Sequence, residues 1–259
     1  MKTNKLSLII IIISLVSFVL TVNAQSLEGA TAWFFKKTTD HTQPKLDSRL
    51  SFIEKYNCAY VDKSKNSDSD KVIYLTFDAG YENGNVKRIL DTMKDEGVSG
   101  SFFILENLIK RNPDLVKRMA EEGHLVCNHT AKHKDMSRVT DKDTLLSELG
   151  KLEEQFKQLT GCDMTKIYRP PEGRFSEINL LHLTEAGYKT VFWSFAYADW
   201  DNKQQPNEKE AMDKIIAGLH NGEILLLHPT SETNANIMKE LIRRCKAEGY
   251  RFETLDKLP

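Results

Sequence analysis

The sequence predicts an α/β fold of parallel β-α units, arranged as a barrel or as an open parallel sheet. Two observations predict it. From Lys71 onward, short apolar runs alternate about seven times with amphipathic helical patterns. Chemistry-bearing residues also stand at the ends of successive runs, where a parallel barrel opens onto one face. Composition agrees, since 40% of the 259 residues are hydrophobic and 28% are charged, which excludes a largely disordered chain. The length fits one large domain or two small ones. A formal net charge of -1 argues against a dedicated nucleic-acid binder, which carries a basic surplus.

The first segment stands apart from that fold. Lys2 and Lys5 accompany an apolar run from Leu6 to Leu20, interrupted only by serine, and Val22-Asn23-Ala24 offers small or apolar residues where a signal peptidase reads. Residues 1–24 therefore read as a secretory signal peptide, or as an uncleaved anchor, because the run almost spans a bilayer. Either reading places the remainder outside the cytoplasm, and the second gives it a membrane tether. Loss of the two leader lysines would move the net charge from -1 to -3.

Residues 25–70 read as an N-terminal extension and linker. Trp33, Phe34 and Phe35 supply aromatics to pack on a larger body, and Asp62 to Asp70 is rich in Ser, Lys and Asp. The segment holds too few apolar residues for a core of its own. Residues 71–259 form the main domain.

Within it, Val72–Phe77 is a buried-strand run of β-branched, aromatic and apolar residues. Asn85–Glu96 is helical, with Val86, Ile89, Leu90 and Met93 on one face and Gly97 as the stop. Ser101–Leu105 is the second strand. Asn112-Pro113 opens a helix that Gly123 ends. Leu125–Asn128 is the third strand, and Thr140-x-x-Asp143 caps a long helix reaching about Leu159. Ile167–Arg169, Thr190–Ser194, Ile224–Leu227 and Arg251–Glu253 are further strands, and helices fill Ile178–Ala186, Glu208–Leu219 and Thr233–Glu248. Cys58, Cys127, Cys162 and Cys245 are widely spaced, which argues against a zinc ribbon, and a domain of this size needs no disulfide.

Asp78 follows the first of these strands, His129 the third, Arg169 the fourth, Asp199 the fifth and His228 the sixth. A single polar residue at a strand end means little. Five of this chemistry, one per strand end, define a candidate site. The spacing of His129 and His133 suits two imidazoles sharing a metal ion, and the pair directly follows a strand. Arg169 opens the rigid turn Arg169-Pro170-Pro171-Glu172-Gly173-Arg174, from which it can pair with Asp78 and keep it ionised. His41, His124, His182 and His220 have no matching carboxylate or ligand spacing and read as structural or solvent-facing.

Over about Lys71 to Leu255 these residues, in this order, resemble the NodB-like polysaccharide deacetylases of carbohydrate esterase family 4. The family's motifs match Thr76-Phe77-Asp78-Ala79, His129-Thr130-Ala131-Lys132-His133, Arg169-Pro170-Pro171-Glu172-Gly173, Asp199-Trp200 and Leu226-Leu227-His228. The resemblance implies a distorted (β/α) barrel, which agrees with the count of about seven parallel strands. Two positions depart from the pattern. Ala79 stands where the family has a metal-ligating Asp, and Ala196 stands where the fourth motif often begins with Asp. The stretch Thr76 to Gly84, the run 169–177 and the Trp33-Phe34-Phe35 cluster are similar to one subgroup, the N-acetylmuramic acid deacetylases that prepare peptidoglycan for muramic δ-lactam formation in spores.

That resemblance implies hydrolysis of a sugar acetamide. Asp78 would be the general base and His228 the general acid, Arg169 would orient Asp78, and Asp199 would hold His228. His129 and His133 would bind a divalent metal ion, zinc by first expectation, with Asp78 as a further ligand where Ala79 leaves a gap. Tyr81, Arg174 and Trp200 would bind substrate, Tyr81 by its backbone, Arg174 through a lactyl carboxylate and Trp200 by stacking. The expected partner is peptidoglycan or a related N-acetylated glycan, met by a monomer in the cell wall or at the membrane. Two rival readings are a deacetylase of N-acetylglucosamine polymers and a catalytically impaired wall-glycan-binding protein, the latter motivated by Ala79 and Ala196.

Overall fold

Alternation along one long strand organises the molecule. In the computed structural model, which describes residues 29–65, 67 and 70–259, strand β3 (Val72–Ala79) is buried on both faces. Its odd-numbered members Ile73, Leu75, Phe77 and Ala79 face an outer layer of helices. Val72 and Tyr74 point the other way, into a second core with Phe103, Cys127, Ile167 and Val191. Successive strand side chains must point to opposite faces, so one run of apolar residues builds both layers.

In chain order the elements are β1 (Thr31–Ala32), β2 (Cys58–Ala59), β3, α1 (Asn85–Asp95), β4 (Ser101–Ile104), α2 (Glu106–Arg111), α3 (Pro113–Glu121), β5 (Leu125–Asn128) and α4 (Lys142–Thr160). They continue with β6 (Ile167–Tyr168), β7 (Arg174–Phe175), α5 (Glu177–Glu185), β8 (Lys189–Val191), α6 (Glu208–Gly218), β9 (Glu223–Leu227), α7 (Glu232–Ala247) and β10 (Arg251–Glu253). The main sheet runs β10-β3-β4-β5-β6-β8-β2, with β9 on the other edge of β3, and every pairing in it is parallel. The flanks of the sheet meet: Ser194 N–H donates to the Ile224 carbonyl at 3.0 Å and Leu226 N–H to Phe195 at 2.9 Å. The expected distorted α/β barrel is the observed fold, and all seven expected strands are present.

Helix starts follow elementary capping. Asp141 accepts from Thr144 N–H at 2.8 Å to start α4, one residue beyond the expected Thr140, and Gly161 closes the helix in a left-handed conformation. Ser176 and Asn179 form a reciprocal capping box on α5. Asn207 and Ser231 cap α6 and α7.

Three strands and one helix are additional to the sequence reading, and one expected strand is shorter. Cys58–Ala59, inside the segment read as an extension, joins the main sheet beside β8. Thr31–Ala32 pairs antiparallel with Arg174–Phe175. The helix Glu106–Arg111 fills what read as a connection. Strand β8 stops at Val191, and the chain continues to Phe195 through single bridging bonds to β9.

Trp33 fastens this early segment to the domain. Its backbone N–H donates to Gly173 at 2.7 Å, its indole N–H donates to the Trp193 carbonyl at 3.0 Å, and its ring stacks on Phe192 at 4.5 Å. Gly173 has φ of +65°, and a Cβ there would meet the Trp193 ring at 2.8 Å, so only glycine fits this crossing. All four cysteines are free. Residues 1–24, read as a leader or anchor, lie outside the described residues. Among the described residues no helix is long and apolar enough to cross a membrane.

Candidate active site

The carboxyl ends of the strands open into a cavity of about 790 Å3 whose walls include Asp78, His129, His133 and His228. Asp78 comes from the end of β3, the two histidines from the loop after β5, and His228 from the residue after β9. Residues separated by up to 150 positions thus meet because every strand of the sheet points the same way.

Asp78 is held by Arg169. Arg169 Nη1 donates to Asp78 Oδ1 at 2.8 Å. Its other donors go to Thr76 Oγ1 at 3.0 Å and to the carbonyls of Phe192 and Val191, each at 3.2 Å. The guanidinium also lies 4.0 Å above the Phe103 ring, and the whole side chain is buried. With four of its five N–H donors spent on the protein and its side chain buried, Arg169 orients Asp78. Burial alone would raise the Asp78 pKa. At the acid pH where Asp78 titrates, the charges of His129, Arg169 and His228, with the Arg169 hydrogen bond, outweigh it and hold the carboxyl below its ordinary range.

His228 is held by Asp199. The carboxylate accepts from His228 Nδ1–H at 2.7 Å and from its backbone N–H at 2.8 Å. Asp199 itself is buried behind the cavity wall. Burial opposes the imidazolium, but the hydrogen bond and charge of Asp199, helped by Asp78, raise the His228 pKa above its ordinary value. In one cavity, therefore, the carboxyl is biased toward its charged form and the imidazole toward its protonated form.

His129 has a fixed tautomer. His129 Nδ1 lies 2.9 Å from the Arg169 carbonyl, which can only accept, so Nδ1 carries the hydrogen. Burial pushes His129 down to about 4, which keeps the ring neutral. Its bare Nε2 then faces Asp78 Oδ2 at 3.5 Å, one acceptor against another. A cation between them resolves that conflict, and a second-residue hydrogen bond on the far nitrogen is how proteins aim a metal-binding imidazole. His133 stands beside His129 with ring centroids 5.0 Å apart. The loop that carries it is held in left-handed backbone at Thr130 (φ +71°) and His133 (φ +55°). Asn128 Oδ1 accepts from Thr130 N–H, and Thr130 Oγ1 accepts from His133 N–H, each at 2.9 Å. Among the described residues no three His, Cys, Asp or Glu side chains are gathered around one point. The donor set nevertheless fits a divalent ion, through His129, His133 and Asp78. Ala79, at the position of the family's other Asp, is buried against the helix layer.

Tyr81 and Trp200 line the mouth and are 44% and 61% exposed, and the Trp200 ring lies 6.3 Å from that of His228. Ala196 and Trp193 line the wall. Arg174 does not line the cavity. The turn at Glu172 (φ +55°) sends it outward, where it pairs with Asp135 at 3.0 Å and Glu172 at 3.5 Å. The sequence reading missed Glu172 and Tyr197 as cavity residues, and missed Asn234, which donates to Asp199 Oδ2 at 2.7 Å. Only the short interval between His228 and the Ser231 cap hinted that the first turn of α7 returns to the strand end.

A one-ended parallel barrel presenting a restrained carboxylate, a restrained imidazole and a histidine pair is the apparatus of amide hydrolysis. Residues 65–191 match the polysaccharide deacetylase family. The chain belongs to the polysaccharide deacetylases of carbohydrate esterase family 4, hydrolases of amide bonds. It is 40% identical over 227 residues to the peptidoglycan-N-acetylmuramic acid deacetylase PdaA of Bacillus subtilis, covering 87% of this chain and 84% of that protein. The PdaA structure superposes with a TM-score of 0.83 at 38% identity, over 89% of this chain and 97% of that one. A peptidoglycan-N-acetylglucosamine deacetylase of Bacillus cereus is 29% identical over 225 residues, covering 83% of this chain and 78% of that protein.

Proposed function

We propose that this protein removes the acetyl group from N-acetylmuramic acid in peptidoglycan, outside the cytoplasm, and so prepares muramic δ-lactam in the spore cortex. The single observation that carries the chemistry is that Asp78 and His228 face one cavity, each fixed by its own buried partner, Arg169 and Asp199. The identity with PdaA supports the muramic substrate, and the apolar leader supports secretion or a membrane tether. The working form is a monomer.

Amides are poor electrophiles and amines poor leaving groups, so the site has to act at both ends of the bond. Asp78 takes a proton from water, whose oxygen attacks the acetamide carbon. The C–N bond then breaks, and the nitrogen leaves with a proton from His228 Nε2, giving acetate and a free amine. Arg169 and Asp199 keep the two groups in position and in the required charge state. Tyr81 and Trp200 line the mouth where the sugar enters. His129 and His133, with Asp78, would hold a divalent ion, zinc first among candidates. When bound, the ion polarises the carbonyl and acidifies water.

A second reading, deacetylation of N-acetylglucosamine units, is favoured by one observation. Among the described residues that line the cavity there is no lysine or arginine. Arg174, the cation expected to meet a lactyl carboxylate, is paired outside it. Acetate release from muramic-rich glycans, with and without stem peptides, is compared with release from N-acetylglucosamine oligomers. Faster release from muramic glycans supports the proposal. Release confined to N-acetylglucosamine oligomers replaces it with the second reading, and glycan binding without acetate release under any divalent ion rejects both.

A further inference from the structure

Asn234 lies in the first turn of α7, outside the segment that matches the family, and is fully buried. Its amide orientation is dictated by its neighbours. One face meets the Asp199 carboxylate at 2.7 Å and the His228 carbonyl at 3.0 Å, both acceptors, so that face is the NH2 group. The other face receives the hydroxyl of Tyr197, a residue that lines the cavity. The Asn234 backbone N–H is tied to Ser231 Oγ at 3.1 Å. Asp199 Oδ2 thus accepts from Asn234 and from the His228 backbone, which leaves Oδ1 for His228 Nδ1–H.

We infer that Asn234 is a positioning residue for the leaving-group acid, and that Tyr197 extends its hydrogen-bond chain to the cavity wall. By locking the Asp199 carboxylate and the His228 backbone to the same amide, Asn234 fixes the imidazole with Nδ1 toward Asp199 and Nε2 toward the scissile nitrogen. Neither Asn234 nor Asp199 needs to touch substrate. The inference rests on His228 being the acid.

An acid is needed to expel an amine and is not needed to expel a stabilised phenolate, which separates positioning of His228 from general damage. The full chain with divalent ion added is assayed on an N-acetylated glycan for acetate and on 4-nitrophenyl acetate for 4-nitrophenol. Loss of a hydrogen bond to a charged group predicts that Asn234→Ala lowers kcat on the glycan about tenfold or more, with KM within about twofold. The ratio of glycan to ester turnover falls in step. Tyr197→Phe, which removes one hydroxyl, lowers the same ratio about threefold and serves if Asn234→Ala does not fold. An unchanged ratio in a folded variant overturns the inference, as does a loss carried by KM. His228→Ala distinguishes the two levels. If it keeps the parent ratio, the acid assignment itself is wrong. If it collapses the ratio and the Asn234 and Tyr197 variants do not, only the positioning role is wrong.

Discussion

His228 donates to Asp199 twice, through Nδ1–H to one carboxylate oxygen at 2.7 Å and through its backbone N–H to the other at 2.8 Å. A carboxylate held at both ends by one residue cannot rotate away from the imidazole, so the ring's tautomer and direction are set together. The raised His228 pKa means that the protonated acid survives to higher pH than an ordinary histidine allows. Asp199→Asn should lower kcat by about a hundredfold or more and move the alkaline limb of kcat/KM to lower pH. A pH–rate series on a glycan checks both, and an unmoved alkaline limb contradicts the pairing.

The Asp78–Arg169 pair predicts a stability effect as well as a catalytic one. Removing one member of a buried pair strands the other, at a cost of about 3 kcal/mol or more. Asp78→Asn should therefore abolish acetate release and also lower the urea midpoint. Because the folded Asp78 pKa is lowered, its contribution is present above the ordinary carboxylate range and is lost as pH falls through the folded value. Wild type and variant should converge in stability at acid pH.

Chelation should remove activity on the glycan, and added divalent ions should restore it. His129→Ala and His133→Ala should each weaken ion binding by more than the roughly tenfold that loss of an outer-shell partner of a metal ligand costs. Calorimetric titration of the stripped protein measures this without turnover. Full activity of metal-free protein would remove the ion from the proposed mechanism.

Two buried histidines away from the cavity predict acid sensitivity. His124 and His220 are each pushed down to about 4 by burial, so both are neutral in the fold. His220 donates Nδ1–H to Gly218 and accepts from Ser194 through Nε2, each at 2.8 Å. Their contribution is present above an unfolded pKa of about 6.5 and is lost as pH falls toward the folded values. Urea midpoints should drop between about pH 6.5 and 4. Nearby Glu223 has the opposite sign, since burial raises its pKa and its Oε1 finds no hydrogen-bond partner among the described residues. Glu223→Gln should stabilise the protein at pH 8 more than at pH 5.

At the mouth, Trp200→Ala should raise KM for a glycan several-fold and leave kcat near the parent value. Initial-rate kinetics on a defined oligosaccharide test this. A change confined to kcat would place Trp200 in orienting His228 instead.

The long strands and the strand-end residues were legible because burial on two faces demands continuous β-branched and aromatic runs, and because parallel strands share one open end. Strands of two residues, such as Cys58–Ala59, carry no periodicity and were lost in a segment that looks irregular. Glu106–Arg111 was missed because a six-residue helix with no capping side chain leaves little trace. Arg174 was misplaced because the left-handed backbone at Glu172 turns the chain outward, a conformation that sequence pattern does not announce for glutamate. Asn234 was invisible because its contacts are made across the fold by an amide that looks like an ordinary first-turn residue.

Trp33 is sewn to Gly173 and Trp193, two residues of the cavity wall. Anyone who starts this chain at residue 65, where the family match begins, and keeps it through to the last strand cuts that seam. The excised piece would keep every motif by which the family is recognised and lose the brace behind its own reaction chamber. For this chain, the structural unit around the cavity begins some thirty residues before the recognisable one.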